Sequence, residues 1–219
     1  MNDPRQQIID TCLALEARGL NQGTSGNLSV RADDKSIWVT PSGCSYDTLN
    51  PDDIVRVDLA SGAWAKPARP TSELPFHLAI HRTRPDARAV VHTHSQHATA
   101  VACLRRPIPA VHYLVGLFGG PDIRCADYAT FGTVALSENL LTALENRRAA
   151  LMANHGLVVL GQDLTQALAL THEAETLAKL YLQTLASGTP HILPDDEMQR
   201  VIERFRDFGY GPLSNTPDV

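Results

Sequence analysis

The chain has 219 residues, which is enough for a single domain with a substantial hydrophobic core. Its apolar fraction of 43% and charged fraction of 20% are typical of an ordinary globular protein. A net charge of −5 without any Lys/Arg cluster argues against a nucleic-acid partner, and no apolar run approaches the roughly 18 residues of a membrane span. We therefore expect one domain over residues 1–219, with a core from about 5 to 209 and a C-terminal tail from 210 to 219.

The cysteines are widely separated with no CxxC pair, and the N-terminus lacks the apolar core of a signal sequence. A reducing cytoplasm fits both observations. We therefore predict a cytoplasmic protein whose cysteines are buried thiols rather than a disulfide pair: Cys12, Cys44, Cys103 and Cys125.

The first part of the chain predicts a helix followed by short strands. Asp3-Pro4 is typical of a helix start, because a carboxylate caps the free amides and proline fits the first helical position; Gly19 is placed to end this helix. Loops of small polar residues separate the predicted strands at Asn21–Asn27 and Thr40–Ser45. The strands are predicted at 28–31, 37–40 and 54–59.

The rest of the chain interleaves helices with strands. A helix is predicted to open at Thr71-Ser72-Glu73, with Thr71 or Ser72 as its N-cap and Glu73 in its first turn. The region 107–133, rich in Gly, Pro and aromatic residues, is predicted to be irregular. Strands are predicted at 87–94, 149–153 and 157–160, and further helices at 98–104, 137–147, 164–185 and 195–208. This order predicts an α/β fold of the α+β-like kind.

Three histidines are candidate metal ligands. His92 and His94 are two residues apart on a predicted strand, so both project to the same face, and neutral imidazole is the commonest metal ligand. On this pair alone, two histidines that merely hydrogen-bond at a strand end are an equally good interpretation. His155 ends another apolar strand, before Gly156, whose missing side chain permits a close approach. Three protein ligands with an open position are the arrangement of a catalytic zinc.

Glu73 has two interpretations, as a metal ligand or general base beside the histidines, or as helix-start electrostatics. It also belongs to a rival metal site, since Glu73, His77 and His81 recur every four residues on one helical face. The zincin signature, however, needs a glutamate between its two histidines, and none is present here. We therefore interpret His77 and His81 as partly buried helix residues.

The two small-residue loops and Thr71-Ser72 suit a phosphate dianion, because glycine-containing turns, a helix N-terminus and hydroxyls all donate hydrogen bonds to anions. Together with the histidines, these motifs resemble the class II aldolase family, which includes L-fuculose-1-phosphate aldolase, L-ribulose-5-phosphate 4-epimerase and the adducin head domain. The resemblance spans about Arg5 to Gly209 and is strongest toward the fuculose-phosphate branch. It is carried by Gly23-Thr-Ser-Gly-Asn27 with Ser29 and Arg31, Thr40-Pro-Ser-Gly43, Thr71-Ser-Glu73, His92-Thr-His94, Ile108–Tyr113, Gly119-Gly120, Tyr128–Gly132 and Asn154-His-Gly156.

The resemblance implies a mixed, mainly antiparallel sheet flanked by helices, assembled as a homotetramer with active sites at subunit interfaces. It implies one Zn²⁺ per subunit, with Mn²⁺ or Co²⁺ as alternatives, and a sugar-phosphate substrate. The implied proton shuttle is Glu73, and the implied acid is Tyr113 of a neighbouring subunit. The remaining implied residues are the metal ligands His92, His94 and His155, the phosphate-binding residues Asn27, Ser42, Gly43, Thr71 and Ser72, and the aromatic wall Phe131.

The implied reaction is cleavage of a ketose 1-phosphate of the L-fuculose 1-phosphate type into dihydroxyacetone phosphate and an aldehyde. Two positions depart from the family pattern: Thr71 replaces a serine, and the C-terminal tyrosine of the fuculose enzyme falls near Phe208 unless Tyr210 substitutes. Because that tyrosine contacts the aldehyde end, other activities stay open. They are an aldolase for 5-deoxyribulose or 5-methylthioribulose 1-phosphate, a 4-epimerase, a dehydratase or decarboxylase, and a non-catalytic adducin-like scaffold.

Overall fold

The computed structural model describes residues 3–65 and 67–209. Its helices are α1 (Pro4–Ala17), α2 (Leu74–Thr83), α3 (Gln96–Cys103), α4 (Val134–Ala143), α5 (Leu164–Ser187) and α6 (Asp195–Asp207). Its strands are β1 (Asn27–Asp33), β2 (Ser36–Val39), β3 (Val55–Asp58), β4 (Ala89–Thr93), β5 (Ile108–Pro109), β6 (Asp122–Ala126), β7 (Ala149–Met152) and β8 (Gly156–Gly161). Short 3-10 helices lie at Tyr46–Thr48, Pro51–Asp53 and Tyr113–Phe118.

The strands form one 8-stranded sheet in the order β3-β2-β1-β4-β8-β7-β6-β5. Strands β6 and β7 are parallel, and the other neighbouring pairs are antiparallel. Helices cover both faces: α2 and α4 pack on one, and α1, α3 and α5 on the other. The predicted class, a single α/β domain with a mixed and mainly antiparallel sheet, is confirmed.

Strand β4 lies between β1 and β8, and all its residues are buried, because its small and β-branched side chains pack against helices on both faces. In the register of the sheet, His92 is opposite Asn27 on β1 and Val158 on β8. The centre of the sheet therefore holds one candidate metal ligand and places Asn27, the first residue of β1, beside it.

Local sequence signals are confirmed at the N-terminus. Asp3 accepts a hydrogen bond from the Arg5 amide as the N-cap of α1, and Gly19 ends the helical region with a φ of +67°. Among the described residues, every helix is too short or too polar to traverse a lipid bilayer. The predicted tail 210–219, and Tyr210 with it, lie outside the described residues.

Three local predictions are wrong. Helix α2 begins at Leu74 with Glu73 as its N-cap, rather than at Thr71 or Ser72, although the Thr71 hydroxyl accepts the Glu73 amide at 3.2 Å. The region predicted to be irregular contains β6, whose pairing with β7 gives Asp122–Ala126 a regular structure that its composition hides. All four cysteines are free thiols, but Cys12 alone of them is buried and Cys103 is exposed.

Candidate active site

The three predicted histidines converge. His92 lies on β4, His94 follows the end of that strand, and His155 lies in the turn that joins β7 to β8. Their ring centroids are 4.9 to 5.0 Å apart, and one ring nitrogen of each lies within 4.8 Å of the other two. The predicted grouping is confirmed, and among the described residues it is the one His/Cys/Asp/Glu cluster with metal-site spacing.

The hydrogen bonds of His92 point its lone pair into this cluster. Nδ1 of His92 is 3.0 Å from the Leu157 carbonyl, which can only accept, so Nδ1 carries the proton. Nε2 of His92 then faces Nε2 of His94 at 3.1 Å and a Glu73 carboxylate oxygen at 3.1 Å. The lone pair on Nε2 of His92 and the carboxylate oxygen of Glu73 repel each other at this distance, so this group of ligand atoms fits a divalent cation among them.

The electrostatics of His94 agree with that fit. Burial, together with the nearby imidazoles of His92 and His155, lowers the pKa of His94 to about 4. His94 is therefore neutral at pH 7, which is the ligand form of imidazole.

Gly156 permits the histidines to approach one another. A Cβ atom at this position would lie 2.5 Å from the Thr93 carbonyl oxygen, 3.0 Å from Cδ2 of His94 and 3.2 Å from Cε1 of His92. No side chain fits there without moving the β4 backbone. The close approach predicted from the sequence is thus an approach of β8 to the metal ligands themselves.

Glu73 completes the cluster from the N-terminus of α2. Its Oε2 accepts a hydrogen bond from Nδ2 of Asn27 at 2.8 Å, and its Oε1 lies 3.2 Å from Nε2 of His155. Burial by itself would raise the pKa of this carboxyl group, but the adjacent imidazoles of His92 and His155 and the amide of Asn27 hold it below its usual range. Glu73 makes no side-chain hydrogen bond to the amides of its own helix, and its oxygens face Asn27 and the histidines, as the interpretation beside the histidines predicts.

A cavity of about 350 Å³ opens on the histidines. Its lining contains all the residues that the family resemblance assigned to phosphate, together with Phe131, Glu73, His94 and His155. The full lining is Thr24, Ser25, Gly26, Asn27, Pro41, Ser42, Gly43, Thr71, Ser72, Glu73, His94, Tyr128, Ala129, Phe131, Asn154 and His155.

Backbone pairing assembles this lining from distant loops. The Thr71 amide donates to the Thr40 carbonyl at 3.0 Å, and the Ser42 amide donates to the Arg69 carbonyl at 2.9 Å. The loop that follows β2 therefore runs beside the segment that precedes α2. Gly132 packs so closely on this segment that a Cβ there would lie 2.8 Å from the Ser72 carbonyl oxygen, which brings the Phe131 loop to the same wall.

Tyr113 does not belong to this lining. It starts a 3-10 helix, is 48% exposed, and stacks on Phe205 with ring centroids 6.1 Å apart. Its assignment to a neighbouring subunit's site stays a prediction. Phe208 follows the end of α6 and is 64% exposed.

Sequence reasoning gave no role to Tyr128, Asn154 and Arg105, which meet at the cavity rim. Nε of Arg105 donates to Oδ1 of Asn154 at 2.7 Å, and the Arg105 guanidinium lies 6.0 Å from the centre of the Tyr128 ring. Asn154 has a φ of +55°, and asparagine in the Asn-His-Gly motif was the available signal, because asparagine tolerates the left-handed turn that aims His155.

The rival cluster of Glu73, His77 and His81 is not formed. His77 and His81 both bond the Ser29 hydroxyl, at 2.7 and 2.8 Å. They are 0% and 2% exposed, so the interpretation of partly buried residues understates their burial.

Residues 6–182 match the family model described as the Class II Aldolase and Adducin N-terminal domain. The chain belongs to this family. Within it, the histidine cluster identifies a class II metal-dependent aldolase, because three imidazoles with metal-site spacing meet a buried carboxylate, and two of them line the cavity.

Two relatives of this aldolase are equally similar to it. It is 49% identical over 209 residues to the L-fuculose phosphate aldolase of Escherichia coli O6:H1, covering 95% of this chain and 96% of that one. It is 49% identical over 205 residues to the 5-methylthioribulose-1-phosphate/5-deoxyribulose-1-phosphate aldolase of Rhodospirillum rubrum, covering 94% and 92%. A solved L-fuculose 1-phosphate aldolase superposes with a TM-score of 0.90 at 39% identity, covering 94% of this chain and 97% of that one.

Proposed function

We propose that this aldolase cleaves a ketose 1-phosphate of the L-fuculose 1-phosphate type into dihydroxyacetone phosphate and an aldehyde. One observation carries the proposal: a single cavity joins the histidine cluster, the buried Glu73 and a lining of hydroxyls and glycines suited to phosphate. The relatives named for ketose 1-phosphate substrates support it.

We assign the metal to His92, His94 and His155, and propose Zn²⁺, one per subunit, with Mn²⁺ or Co²⁺ as alternatives. Three imidazoles and an open position are the ligand set of catalytic zinc. When bound, the ion supplies Lewis-acid stabilisation of the negative charge that develops as the carbon–carbon bond breaks, worth several kcal/mol.

The phosphate group is assigned to the wall made by Ser42, Gly43, Thr71 and Ser72, with Asn27 beside it. This wall offers hydroxyls and turn amides next to the N-terminus of α2, where the helix dipole favours an anion. Binding the phosphate there holds the substrate carbon within reach of Glu73 without any lysine. Fixing the pose in this way removes entropy from the reaction barrier in advance.

Glu73 and Tyr113 are assigned to the two proton transfers. In the condensation direction, Glu73 accepts a proton from the nucleophilic carbon of dihydroxyacetone phosphate, the new carbon–carbon bond forms, and Tyr113 protonates the aldehyde oxygen. Cleavage is the reverse. The lowered pKa of Glu73 keeps it ionised before the substrate binds, so the group that accepts the proton is a carboxylate. Because Tyr113 lies outside the lining of its own cavity, we propose that a neighbouring subunit of a homotetramer supplies it.

A second substrate class, 5-methylthioribulose or 5-deoxyribulose 1-phosphate, is favoured by Phe208. The family tyrosine that contacts the aldehyde falls near this exposed apolar residue, and an apolar ring suits a methylthio or methyl tail better than a hydroxylated one. Phe131, which is 62% exposed, lines the cavity of its own chain, whereas Phe208 is not part of that lining.

The test offers the metal-loaded enzyme dihydroxyacetone phosphate with L-lactaldehyde, methylthioacetaldehyde or glycolaldehyde, and compares kcat/KM. We expect condensation with at least one aldehyde and loss of activity on chelation. The aldehyde with the highest kcat/KM identifies the group that the natural substrate carries at its aldehyde end. Failure to condense any of them, or to exchange a carbon-bound hydrogen of dihydroxyacetone phosphate with solvent, would contradict the aldolase proposal. Activity toward a sugar phosphate epimer or acid instead would favour the epimerase, dehydratase or decarboxylase alternatives.

A further inference from the structure

A continuous chain of buried hydrogen bonds runs from Glu73 away from the cavity. Nδ2 of Asn27 is 2.8 Å from Oε2 of Glu73, and Oδ1 of Asn27 is 2.6 Å from Nε2 of His77. Nδ1 of His77 is 2.7 Å from the Ser29 hydroxyl, which is 2.8 Å from Nε2 of His81. Every member is buried, so water does not compete for these bonds.

The position of every proton in this chain follows from the Glu73 end. An ionised carboxylate only accepts, so the Asn27 group that faces it is the amide NH2 and the group that faces His77 is the carbonyl. Nε2 of His77 must therefore carry a proton. Burial, and then the neighbouring His81, lowers the pKa of His77 well below its usual value, so the ring carries one proton and its Nδ1 is an acceptor.

The Ser29 hydroxyl has a single proton and lies between two imidazole nitrogens. Because Nδ1 of His77 accepts, the hydroxyl donates to it, and Nε2 of His81 must then donate to the hydroxyl oxygen. Burial lowers the pKa of His81 to about 3, so this ring also has only one proton to place. All the donors in the chain thus point toward Glu73.

We propose that His77 is a positioning residue for the proton transfer, acting through Asn27 on the carboxylate of Glu73, with Ser29 selecting the His77 tautomer. The two ends of an asparagine amide have nearly the same shape, so packing alone does not decide which end faces Glu73. The Nε2 proton of His77 decides it. A flipped Asn27 would turn its carbonyl oxygen toward the carboxylate and push Glu73 away from the substrate carbon. This inference rests on the role proposed for Glu73.

A matched pair of substitutions tests it. The side-chain amide of Gln reaches about as far as Nε2 of histidine and can donate to Asn27, whereas that of Asn reaches only about as far as Nδ1. We expect His77→Asn to lower kcat by about 10- to 100-fold, the cost of removing an outer partner of a reacting group, and His77→Gln to retain most of kcat. Metal content should stay near wild type in both variants, and inhibition by inorganic phosphate should weaken much less than kcat falls.

Two further variants keep the test decisive if His77→Asn does not fold. Ser29→Ala removes one oxygen and should lower kcat, because the His77 tautomer is no longer selected. Thr171→Val removes another buried hydroxyl, which bonds Ala167 at 2.8 Å within α5, and should leave kcat unchanged.

Solvent hydrogen exchange into dihydroxyacetone phosphate, which needs Glu73 but no aldehyde, should fall in parallel with kcat in His77→Asn and Ser29→Ala. Equal kcat values for His77→Asn, His77→Gln and wild type would overturn the inference. So would a loss of phosphate affinity that matches the loss of kcat, because Asn27 would then act on the phosphate rather than on Glu73. A wild-type enzyme that fails to exchange hydrogen would instead refute the proposed function.

Discussion

At the scale of single residues, the site depends on side chains whose polar atoms already form hydrogen bonds with one another. Nδ2 of Asn27 donates one hydrogen to Glu73, and Oδ1 of Asn27 accepts a hydrogen bond from His77. The second Nδ2 hydrogen is therefore left for a substrate oxygen. Glu73 is held by Asn27 on one oxygen and lies beside the imidazoles of His92 and His155. The carboxylate is therefore oriented before the substrate binds, and substrate binding does not have to reposition it.

Replacing Glu73 with glutamine tests whether this carboxylate moves a proton. Glu73→Gln keeps the size of the side chain but cannot accept a proton, so we expect kcat to fall by about 10²- to 10⁴-fold. Metal content by elemental analysis and inhibition by inorganic phosphate should stay near wild type, because the three imidazoles and the phosphate wall are unchanged. A variant with full metal and full turnover would remove Glu73 from the proton transfer.

Gly156→Ala tests the close approach of β8 to the metal ligands. The new methyl group would meet the Thr93 carbonyl at 2.5 Å, a backbone atom that cannot rotate away, and His94 at 3.0 Å. We expect overpacking to cost about 1–3 kcal/mol and to weaken metal binding. Thermal melts with and without chelator measure the loss of stability, and titration of the apo-protein with Zn²⁺ measures the loss of metal affinity. Wild-type metal affinity would show that β8 adjusts without moving the histidines.

At the scale of elements, the sequence predicts what depends on local pattern. Periodicity and end signals locate α1, β4 and α5 within a few residues. Strand β6 was not predicted, because it is defined by its pairing with β7, about 25 residues away, and not by an alternation of apolar and polar residues. The same limit hid the chain behind Glu73: Ser29 is 48 residues from His77 and 52 from His81, and only the packing of α2 on the sheet brings them together.

The helix that follows His94 is capped by another helix. The carboxylate of Glu175 on α5 accepts the backbone amides of His97 and Ala98, both at 2.8 Å, while Ser95 at the N-cap of α3 makes no side-chain cap bond. We expect Glu175→Gln to cost about 1 kcal/mol of unfolding free energy at pH 7, the usual value of an N-cap. Glu173→Gln on the same helix is the control.

The pH dependence of this cap has a definite sign. Burial would raise the pKa of Glu175, but the amides of His97 and Ala98 and the His97 side chain outweigh it, so the folded pKa lies below the unfolded one. The stabilisation is therefore fully present above the unfolded pKa, about 4.3, and is lost as the pH falls through the folded pKa. Urea unfolding should show the difference between wild type and Glu175→Gln shrinking on acidification. A difference that is constant with pH would mean that the charge of Glu175 contributes nothing.

At the scale of the whole molecule, the proposed chemistry assigns one role to a residue that lies outside the cavity of its own chain. The residues assigned to phosphate and the carbon-bound proton line one cavity together with His94 and His155, and His92 is buried beside them. Tyr113 instead stacks on Phe205 outside this lining and is half exposed. If Tyr113 is the acid for the aldehyde oxygen, as we propose, it must reach the cavity of a different subunit. A cyclic assembly of identical chains meets this need at every site at once, because each subunit both gives and receives the residue.

Mixed assemblies test whether Tyr113 acts in a neighbour's site. We expect Tyr113→Phe and Glu73→Gln each to lose most of kcat when purified alone. Co-expressed in equal amounts, subunits that mix at random would give about a quarter of the sites a wild-type Glu73 from one chain and a wild-type Tyr113 from the next. Activity should therefore recover to about a quarter of wild type in tetramers isolated by two different affinity tags and corrected for composition.

The matched control pairs Glu73→Gln with His155→Ala. Both residues line the same cavity of one chain, so no mixture of these variants contains an intact site and no recovery is expected. Recovery in the Tyr113 mixture alone means that the tyrosine crosses the interface. If the Tyr113 mixture stays as inactive as its parents while its tetramers contain both chains, the acid is supplied within one subunit, and the exposed position of Tyr113 has some other cause.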